Sequence, residues 1–313
     1  TRRPARSLLL HSALVPIRRY LGFCTHEMRV LISGTSGWLG GELAKRLAAA
    51  GHCVTGLSRR ATKLEGVASI EADLSKDSSI EAAAAHGPFD VLVHNAGCLG
   101  WCTTAQAQSI NVLGTRRALD IAAATSCQKV VVASSIAAVG TAAPYWPPKS
   151  VPISPEHRNA GFPWPYALSM THKEVLARRA CGLDDQLDAT ALRVGNVVTF
   201  PGLVHHDGIG IEYEQSPATS SDVAEELATS SACRFPEHKM ASVALSDAVA
   251  CLEAATLAPR RPGFRVLNVC GPTSFSREPV ADVLRAWYPS TIEGLDHFER
   301  PGHERDQLYD NGP

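Results

Sequence analysis

No stretch of this sequence is apolar for long enough to form a membrane-spanning helix. An excess of charge of one sign is missing too. The chain carries 30 lysines and arginines against 31 acids, a formal net charge of -1. That balance gives no argument for a nucleic acid or an anionic membrane as partner. Nine cysteines are present, at 24, 53, 98, 102, 127, 181, 233, 251 and 270, but there is no C-x-x-C and the count is odd. Several fall inside apolar segments, so they read as reduced core thiols of an intracellular protein and not as a disulfide framework. Cys98 and Cys102 stand four apart without a histidine pair at ligand spacing, and His205-His206-Asp207 reads as a solvated loop. No metal site is therefore expected. Internal repeats and low-complexity linkers are lacking as well.

What is there begins with core material. Apolar residues make up 45% of the 313 residues and charged ones 19%. That is enough for one large α/β domain with an appended lobe, or for two modest domains. Residues 1–27 stand apart, with Arg2, Arg3, Arg6, Arg18 and Arg19 and no acid before Glu27. This composition suits an organellar presequence; the other reading is a segment that is not native, because Met28 stands where a natural start would fall. Residues 1–27 are left out of the fold reading as a disordered or presequence-like leader.

The most informative stretch follows Met28. A strand, Arg29-Val30-Leu31-Ile32-Ser33, runs into Gly34-Thr35-Ser36-Gly37-Trp38-Leu39-Gly40 and then into an amphipathic helix that stops at Gly51. Each glycine has a mechanical reason. Gly34 can turn sharply off the strand, Gly37 leaves room for a pyrophosphate at the backbone, and Gly40 lets helix and strand pack closely. The helix N-terminus then points bare N–H groups at the phosphates. Strand–turn–helix is the context that gives this G-x-x-G-x-x-G pattern its meaning as a dinucleotide-binding turn.

Strands and helices alternate onward. Short apolar strands are expected at 52–57, 67–71, 90–94, 129–133 and 190–194, with a late one at 265–269. Helices are expected near 104–124, 166–181, 243–257 and 278–287, and another around 222–229. Near-continuous apolar strands fit a parallel sheet covered on both faces, and their alternation with helices means repeated βαβ units. The expected fold class is α/β: a doubly wound, Rossmann-type parallel sheet with a small, irregular C-terminal substrate lobe. Residues 28–195 plus 243–271 form the dinucleotide-binding domain in this reading, and 196–242 plus 272–313 the lobe. Residues 144–165 hold seven prolines and two tryptophans and read as a long loop over one end of the sheet. Trp146, Phe162 and Trp164 either line a pocket there or anchor the loop.

From Met28 to about Asn311 the chain resembles the extended short-chain dehydrogenase/reductases, the NAD-dependent epimerase/dehydratase family. Ser33-Gly34 through Gly40 resembles its T-G-x-x-G-x-x-G, with Ser36, Trp38 and Leu39 completing the cofactor turn. Asp73-Leu74 resembles the pair that holds the adenine ring. His94-Asn95-Ala96-Gly97 resembles the turn beside the nicotinamide-side ribose. Asn111 to Thr115 matches N-V-x-G-T, and Ser134 to Gly140 matches the stretch that carries the catalytic serine, here Ser135. Leu192-Arg193-Val194-Gly195-Asn196-Val197 resembles the entry to the substrate lobe, where Asn196 would touch substrate. Family members usually continue further, so the C-terminus is expected to be incomplete.

The resemblance implies a Y-x-x-x-K motif, and Tyr166, Ser169 and Glu174 fit its longer form. Met170 stands in the place of the lysine, which would hydrogen-bond the nicotinamide ribose and lower the tyrosine pKa. An unaided phenol titrates near 10 and is a poor base at neutral pH. Lys173 lies seven residues after Tyr166, on the same helix face but two turns along. Helical side chains lean toward the N-terminus, which shortens the gap. Lys173 is nonetheless a doubtful substitute, and the other reading makes it a solvated surface lysine.

An NAD enzyme usually carries an acid at the end of the second strand. This chain carries Ser58-Arg59-Arg60, and the Arg59 guanidinium suits a 2′-phosphate. NADP(H) is thus expected ahead of NAD(H), unless both arginines point to solvent. By resemblance, Tyr166 would move the proton and Ser135 would hold the substrate oxygen while hydride passes at a hydroxyl or carbonyl carbon. A dehydratase would need further acid/base groups after the serine, where Ile136 and Ala137 stand. Two functions remain: an NAD(P)-dependent oxidoreductase or epimerase acting on a sugar nucleotide or another small substrate, with catalysis impaired by Met170, or a weakly catalytic or inactive NAD(P)-binding regulatory or assembly protein. A cytoplasmic location is expected, with organellar import if residues 1–27 are a presequence, and a homodimer is a candidate assembly.

Overall fold

The computed structural model describes residues 27–100, 102–198, 240–274, 278–288 and 290–311. Seven strands form one sheet: β1 (Arg29–Ser33), β2 (Cys53–Ser58), β3 (Val67–Glu71), β4 (Val91–His94), β5 (Lys129–Ser135), β6 (Asp188–Val194) and β9 (Gly263–Val269). Their order is β3-β2-β1-β4-β5-β6-β9, and every pairing is parallel. This is the doubly wound, Rossmann-type arrangement expected from the alternation of strands and helices. Two short strands, β7 (Asn196–Val198) and β8 (Ser242–Ala244), pair separately.

The sheet is covered on both faces because its central strands are apolar on both. β4 and β6 are buried along their whole lengths. In β1 the alternation of strand side chains sends Val30 and Ile32 to one core and Leu31 to the other. The first core takes Leu43 and Leu47 from α1 (Trp38–Ala49) and Val249 and Leu252 from the helix Leu245–Leu257. The second takes Ile121 from α4 (Leu113–Ala124) and Ala177 from α5 (Pro165–Leu183). Fully burying one such leucine or isoleucine contributes about 1.5–3 kcal/mol.

The helix expected near 104–124 is broken into three pieces. A single turn, α3 (Thr104–Gln106), is capped by Thr103 in a reciprocal capping box with Gln106. A π-helical stretch, Ala107–Val112, follows and leads into α4. Helix α5 starts at Pro165, a favoured first position because proline has no N–H to leave unpaired. The expected late helix spans Val280–Trp287. The helix expected around 222–229, the histidine pair His205-His206 and nearly all of the 1–27 leader lie outside the described residues.

A third core lies beyond the sheet, and residues far apart in sequence build it. Ile136, Val151, Ile153, Met240, Val280, Leu284, Tyr288, Phe298, Leu308 and Tyr309 are buried together. The last described segment threads through it: Leu308 N–H donates to Met240 O and Asp310 N–H to Ile153 O. Asn268 Nδ2 ties Ile153 O and Asp310 O at 2.9 and 2.7 Å.

Candidate active site

β1, β4 and β5 are neighbours and run the same way, so their C-terminal turns emerge side by side. The first turn is residues 34–40. Gly34 has φ +81°, and a Cβ there would sit 2.9 Å from the Ala96 backbone. Gly40 is tighter: a Cβ would meet Gly34 O at 2.4 Å and Asn95 Nδ2 at 2.9 Å. The glycine turn and the β4 turn therefore touch, and only glycine allows it. Gly37 differs. It caps α1 in extended backbone with no side-chain cap, and a Cβ there would meet only Gly34 O, at 3.5 Å. No acid lies in the first turn of α1. An open cradle at an uncapped helix N-terminus fits the diphosphate of a dinucleotide. Gly34, Gly37, Trp38 and Leu39 are half-buried and Ser36 is exposed, so this side of the turn faces outward.

A buried polar relay holds the β4 turn. Thr115 Oγ1 donates to Asn111 O at 2.6 Å, so it can accept from His94 Nε2–H at 3.0 Å. That tautomer leaves His94 Nδ1 to accept from the Ser33 hydroxyl at 3.0 Å, while Ser33 Oγ accepts from Ala96 N–H at 3.1 Å. Every member is satisfied with a neutral imidazole. Burial, and then the nearby Lys173 charge, push the His94 pKa well below its ordinary value. From the other side, Asn111 Oδ1 accepts Cys98 N–H at 2.8 Å and its Nδ2 donates to Ser169 Oγ at 2.9 Å. Asn95 and Ala96 are half-buried and Gly97 is exposed at this turn.

At the end of β5, Ser135 caps the short turn Ile136–Val139, accepting Ala137 N–H at 3.2 Å, and stays half-exposed. Tyr166 opens α5 and its ring lies 5.2 Å from that of Trp164. Trp164 in turn contacts Phe162, and Phe162 contacts Trp146, so the aromatics of the proline-rich loop form one file ending at Tyr166. Trp164 Nε1 donates to Gly100 O at 3.0 Å, anchoring the loop to the β4 turn region. Below, Glu174 and Arg193 form a buried ion pair at 2.8 Å, with Ser134 Oγ on the same carboxylate and Pro155 O on the guanidinium. These bonds fix α5, β5, β6 and the proline-rich loop together. Asn196, half-buried in β7, follows Gly195 just after the end of β6.

Lys173 is not a solvated lysine. It is 2% exposed, on the inward face of α5 with Met170 at 3%. Its Nζ donates to Ala96 O at 3.5 Å and lies 3.9 Å from where a Cβ on Gly97 would be. Burial lowers its pKa to about 8, against a small opposing pull from Cys98. The surface reading fails because α5 packs this face onto the β4 turn, so position 173 falls under protein. The seven-residue spacing located the face but not its depth.

After β3, Leu74 is buried and Asp73 is half-buried. Burial pulls Asp73 upward, yet Ser75 hydrogen bonds and the Arg59 and Lys76 charges outweigh it and leave the carboxyl below its ordinary value. Arg59 thus acts on Asp73 while being exposed itself, at the end of β2. The cysteines divide. Cys127 and Cys270 are buried as expected, but Cys53, at the start of β2, and Cys251, on the outer face of the helix Leu245–Leu257, are exposed. Cys98 and Cys102 interact, and burial with that contact pushes Cys98 up to about 12. Among the described residues one group could hold a metal ion: His297, His303 and Asp306, in the C-terminal segment. Both imidazoles already share Asp306 Oδ2, at 2.9 and 2.8 Å.

Comparison with known proteins agrees with this fold. The model of the NAD dependent epimerase/dehydratase family matches residues 30–204, more than half of the chain. Among solved structures, the UDP-Glc/GlcNAc 4-epimerase of Campylobacter jejuni is 20% identical with a TM-score of 0.61, covering 83% of this chain and 82% of its own. The UDP-glucose 4-epimerase of Bifidobacterium longum, solved in complex with NAD+ and UDP, is 19% identical with a TM-score of 0.58, covering 77% of each chain. The Bordetella bronchiseptica enzyme WbmG, solved in complex with NAD, is 20% identical with a TM-score of 0.56, covering 79% and 73%. The three share this fold, and the match to the family model reaches from β1 past β7. The chain belongs to the NAD dependent epimerase/dehydratase family.

Proposed function

We propose that this chain binds a nicotinamide dinucleotide across residues 34–40 and catalyses hydride transfer at a hydroxyl or carbonyl carbon of a small substrate. The observation that carries this reading is the convergence of the three turns after β1, β4 and β5 at one sheet edge, with Ser135 and an open Gly37 among them. When bound, the nicotinamide supplies the hydride chemistry. Gly34 to Gly40 hold the phosphates and Leu74 flanks the adenine with Asp73. Asn95 and Ala96 border the nicotinamide half. Ser135 orients the substrate oxygen, and Tyr166 gives or takes its proton. Asn196, with the aromatic file ending at Tyr166, lies on the substrate side.

The sugar-nucleotide epimerases among the structural neighbours favour a sugar nucleotide as substrate. NAD(H) comes first as cofactor, since the family and the neighbours solved with a dinucleotide carry NAD. This reverses the order drawn from the sequence. A specific observation keeps NADP(H) as the second reading: Arg59 stands beside Asp73 at the end of β2, where a 2′-phosphate would be met. The second reading of function, a binder without turnover, draws on Met170.

Titration with both dinucleotides, followed by turnover assays on sugar-nucleotide and ketone panels, tests the proposal. Hydride transfer to or from NAD(H) that Tyr166→Phe reduces by at least 100-fold is expected, in line with loss of an acid/base group. Binding without turnover on any substrate, with turnover restored by Met170→Lys, would favour the binder. Arg59→Ala should weaken NADP(H) and leave NAD(H) unchanged; an equal loss for both would remove the 2′-phosphate reading.

A further inference from the structure

The most unusual charge in the described residues is the Lys173 ammonium. It is buried at the centre of the molecule, and no carboxylate among the described residues lies within ion-pair distance. Glu174, its neighbour in sequence, is occupied by Arg193 and Ser134. An ammonium has three donors. Among the described residues Lys173 finds one acceptor, Ala96 O, at a long 3.5 Å. Buried polar groups are ordinarily satisfied, and an exception asks for an absent partner. Nζ lies beneath Gly97, 3.9 Å from where a Cβ would be, and Gly97 is exposed and has no side chain.

We propose that Lys173 is the cation of the cofactor site: it reaches past Met170 to the Ala96–Gly97 turn, holds that turn, and offers its free donors to the hydroxyl or phosphate oxygens of a bound dinucleotide. This rests on the reading of the site as a dinucleotide site. It departs from the family pattern, which places the lysine four residues after the tyrosine, where this chain has buried Met170. Moving the lysine three residues along keeps it on the same face of α5, nearly one turn deeper, and its long stem leans back toward the helix N-terminus. Lys173 is a cofactor-binding residue in this reading: it touches the turn and the dinucleotide and not the reacting carbon.

Other titratable groups face it from the packed elements: His94 from β4, and Cys98 with Cys102 behind it from the turn; on α5 itself Tyr166 lies two turns earlier and Glu174, the next residue, turns to Arg193 and Ser134. Asn111 faces it from the π-helical stretch and is neutral. His94 is held neutral and Cys98 is pushed up to about 12, so neither changes charge between pH 8 and 10. Cofactor oxygens at the ammonium would favour its charged form, so binding should take up protons in that window.

The experiment is calorimetric titration of the full chain with NADH and NADPH, from pH 7 to 10, in buffers of different ionisation enthalpy. Wild type, Lys173→Met, Lys173→Met with Met170→Lys, and Tyr166→Phe are compared. Wild type should take up protons on binding near pH 8.5 and lose affinity above it, and Tyr166→Phe should keep both behaviours. Lys173→Met should bind at least 10-fold more weakly at pH 7 with no uptake, and the double variant should recover affinity. A merely structural lysine would leave the pH profile of Lys173→Met parallel to wild type. That result, or wild-type binding without proton uptake, overturns the proposal. Should Lys173→Met fail to fold, the wild-type and Tyr166→Phe uptake decides alone. If wild type binds neither dinucleotide, the site reading itself falls and this inference with it.

Discussion

Lys173 makes an opposing demand on stability. Its folded pKa of about 8 lies below the ordinary 10.5, so folding disfavours its charged form. Below pH 8 both states hold the proton and the full cost is present. Between pH 8 and 10.5 the unfolded chain binds more protons than the folded one, so stability rises with pH across that window. At pH 7 the cost is about 3 kcal/mol at 1.36 kcal/mol per pH unit. Lys173→Met should therefore raise the melting temperature at pH 7 and lose the gain toward pH 10. A lower melting temperature at pH 7 would show that the ammonium is better satisfied than its single bond indicates. His94 titrates on the acid side. Its folded pKa is depressed, so stability should hold above the ordinary histidine value of about 6.5 and fall as pH drops below it. Thr115→Val or Ser33→Ala strands one imidazole nitrogen and should cost about 1–3 kcal/mol by chemical denaturation. The close approach of Gly34 and Gly40 to the β4 turn was legible residue by residue because glycine geometry is local. The depth of Lys173 was not, since it depends on which surface α5 meets.

At the scale of elements, the π-helical stretch Ala107–Val112 matters most. One extra residue per turn widens the helix locally, and Asn111 comes out fully buried and bonded to the β4 turn and to α5. Asn111→Ala leaves Cys98 N–H without its acceptor and deletes the link to Ser169. A loss of about 2 kcal/mol or more is expected from the unsatisfied buried groups, with weaker dinucleotide binding because the β4 turn is freed. Unchanged binding and stability would mean the backbone holds that turn unaided. Strand and helix order was readable from periodicity, and α5 was placed within two residues of its ends. The break in the helix near 104–124 was not readable. Its alanine-rich sequence fits one unbroken helix as well as a shifted one, and the shift is set by contacts to residues 98 and 169.

Across the whole molecule, the parallel sheet was visible in advance because each βαβ unit is written in consecutive residues. The third core was not. It joins Ile136 to Tyr309 and Ile153 to Leu308, partners more than 150 residues apart. No local pattern announces such pairs. Phe298, buried in that core, should cost about 3–5 kcal/mol as Phe298→Ala. The loss should fall on substrate affinity more than on dinucleotide affinity, because the sheet and its glycine turn lie in the other two cores. Substrate and dinucleotide affinities that fall together would mean that the third core supports the glycine turn as well.

The central claim is a working dinucleotide site across residues 34–40, and Gly37 tests it most directly. Its backbone is extended and a Cβ would meet only Gly34 O, at 3.5 Å, so Gly37→Val should fold, with only the modest loss of about 1 kcal/mol that a poorer helix N-cap costs. Its side chain would fill the cradle. Fluorescence titration with NADH should show saturable one-site binding to the wild type and none to Gly37→Val. Equal binding by both, or none by the wild type, would contradict the account.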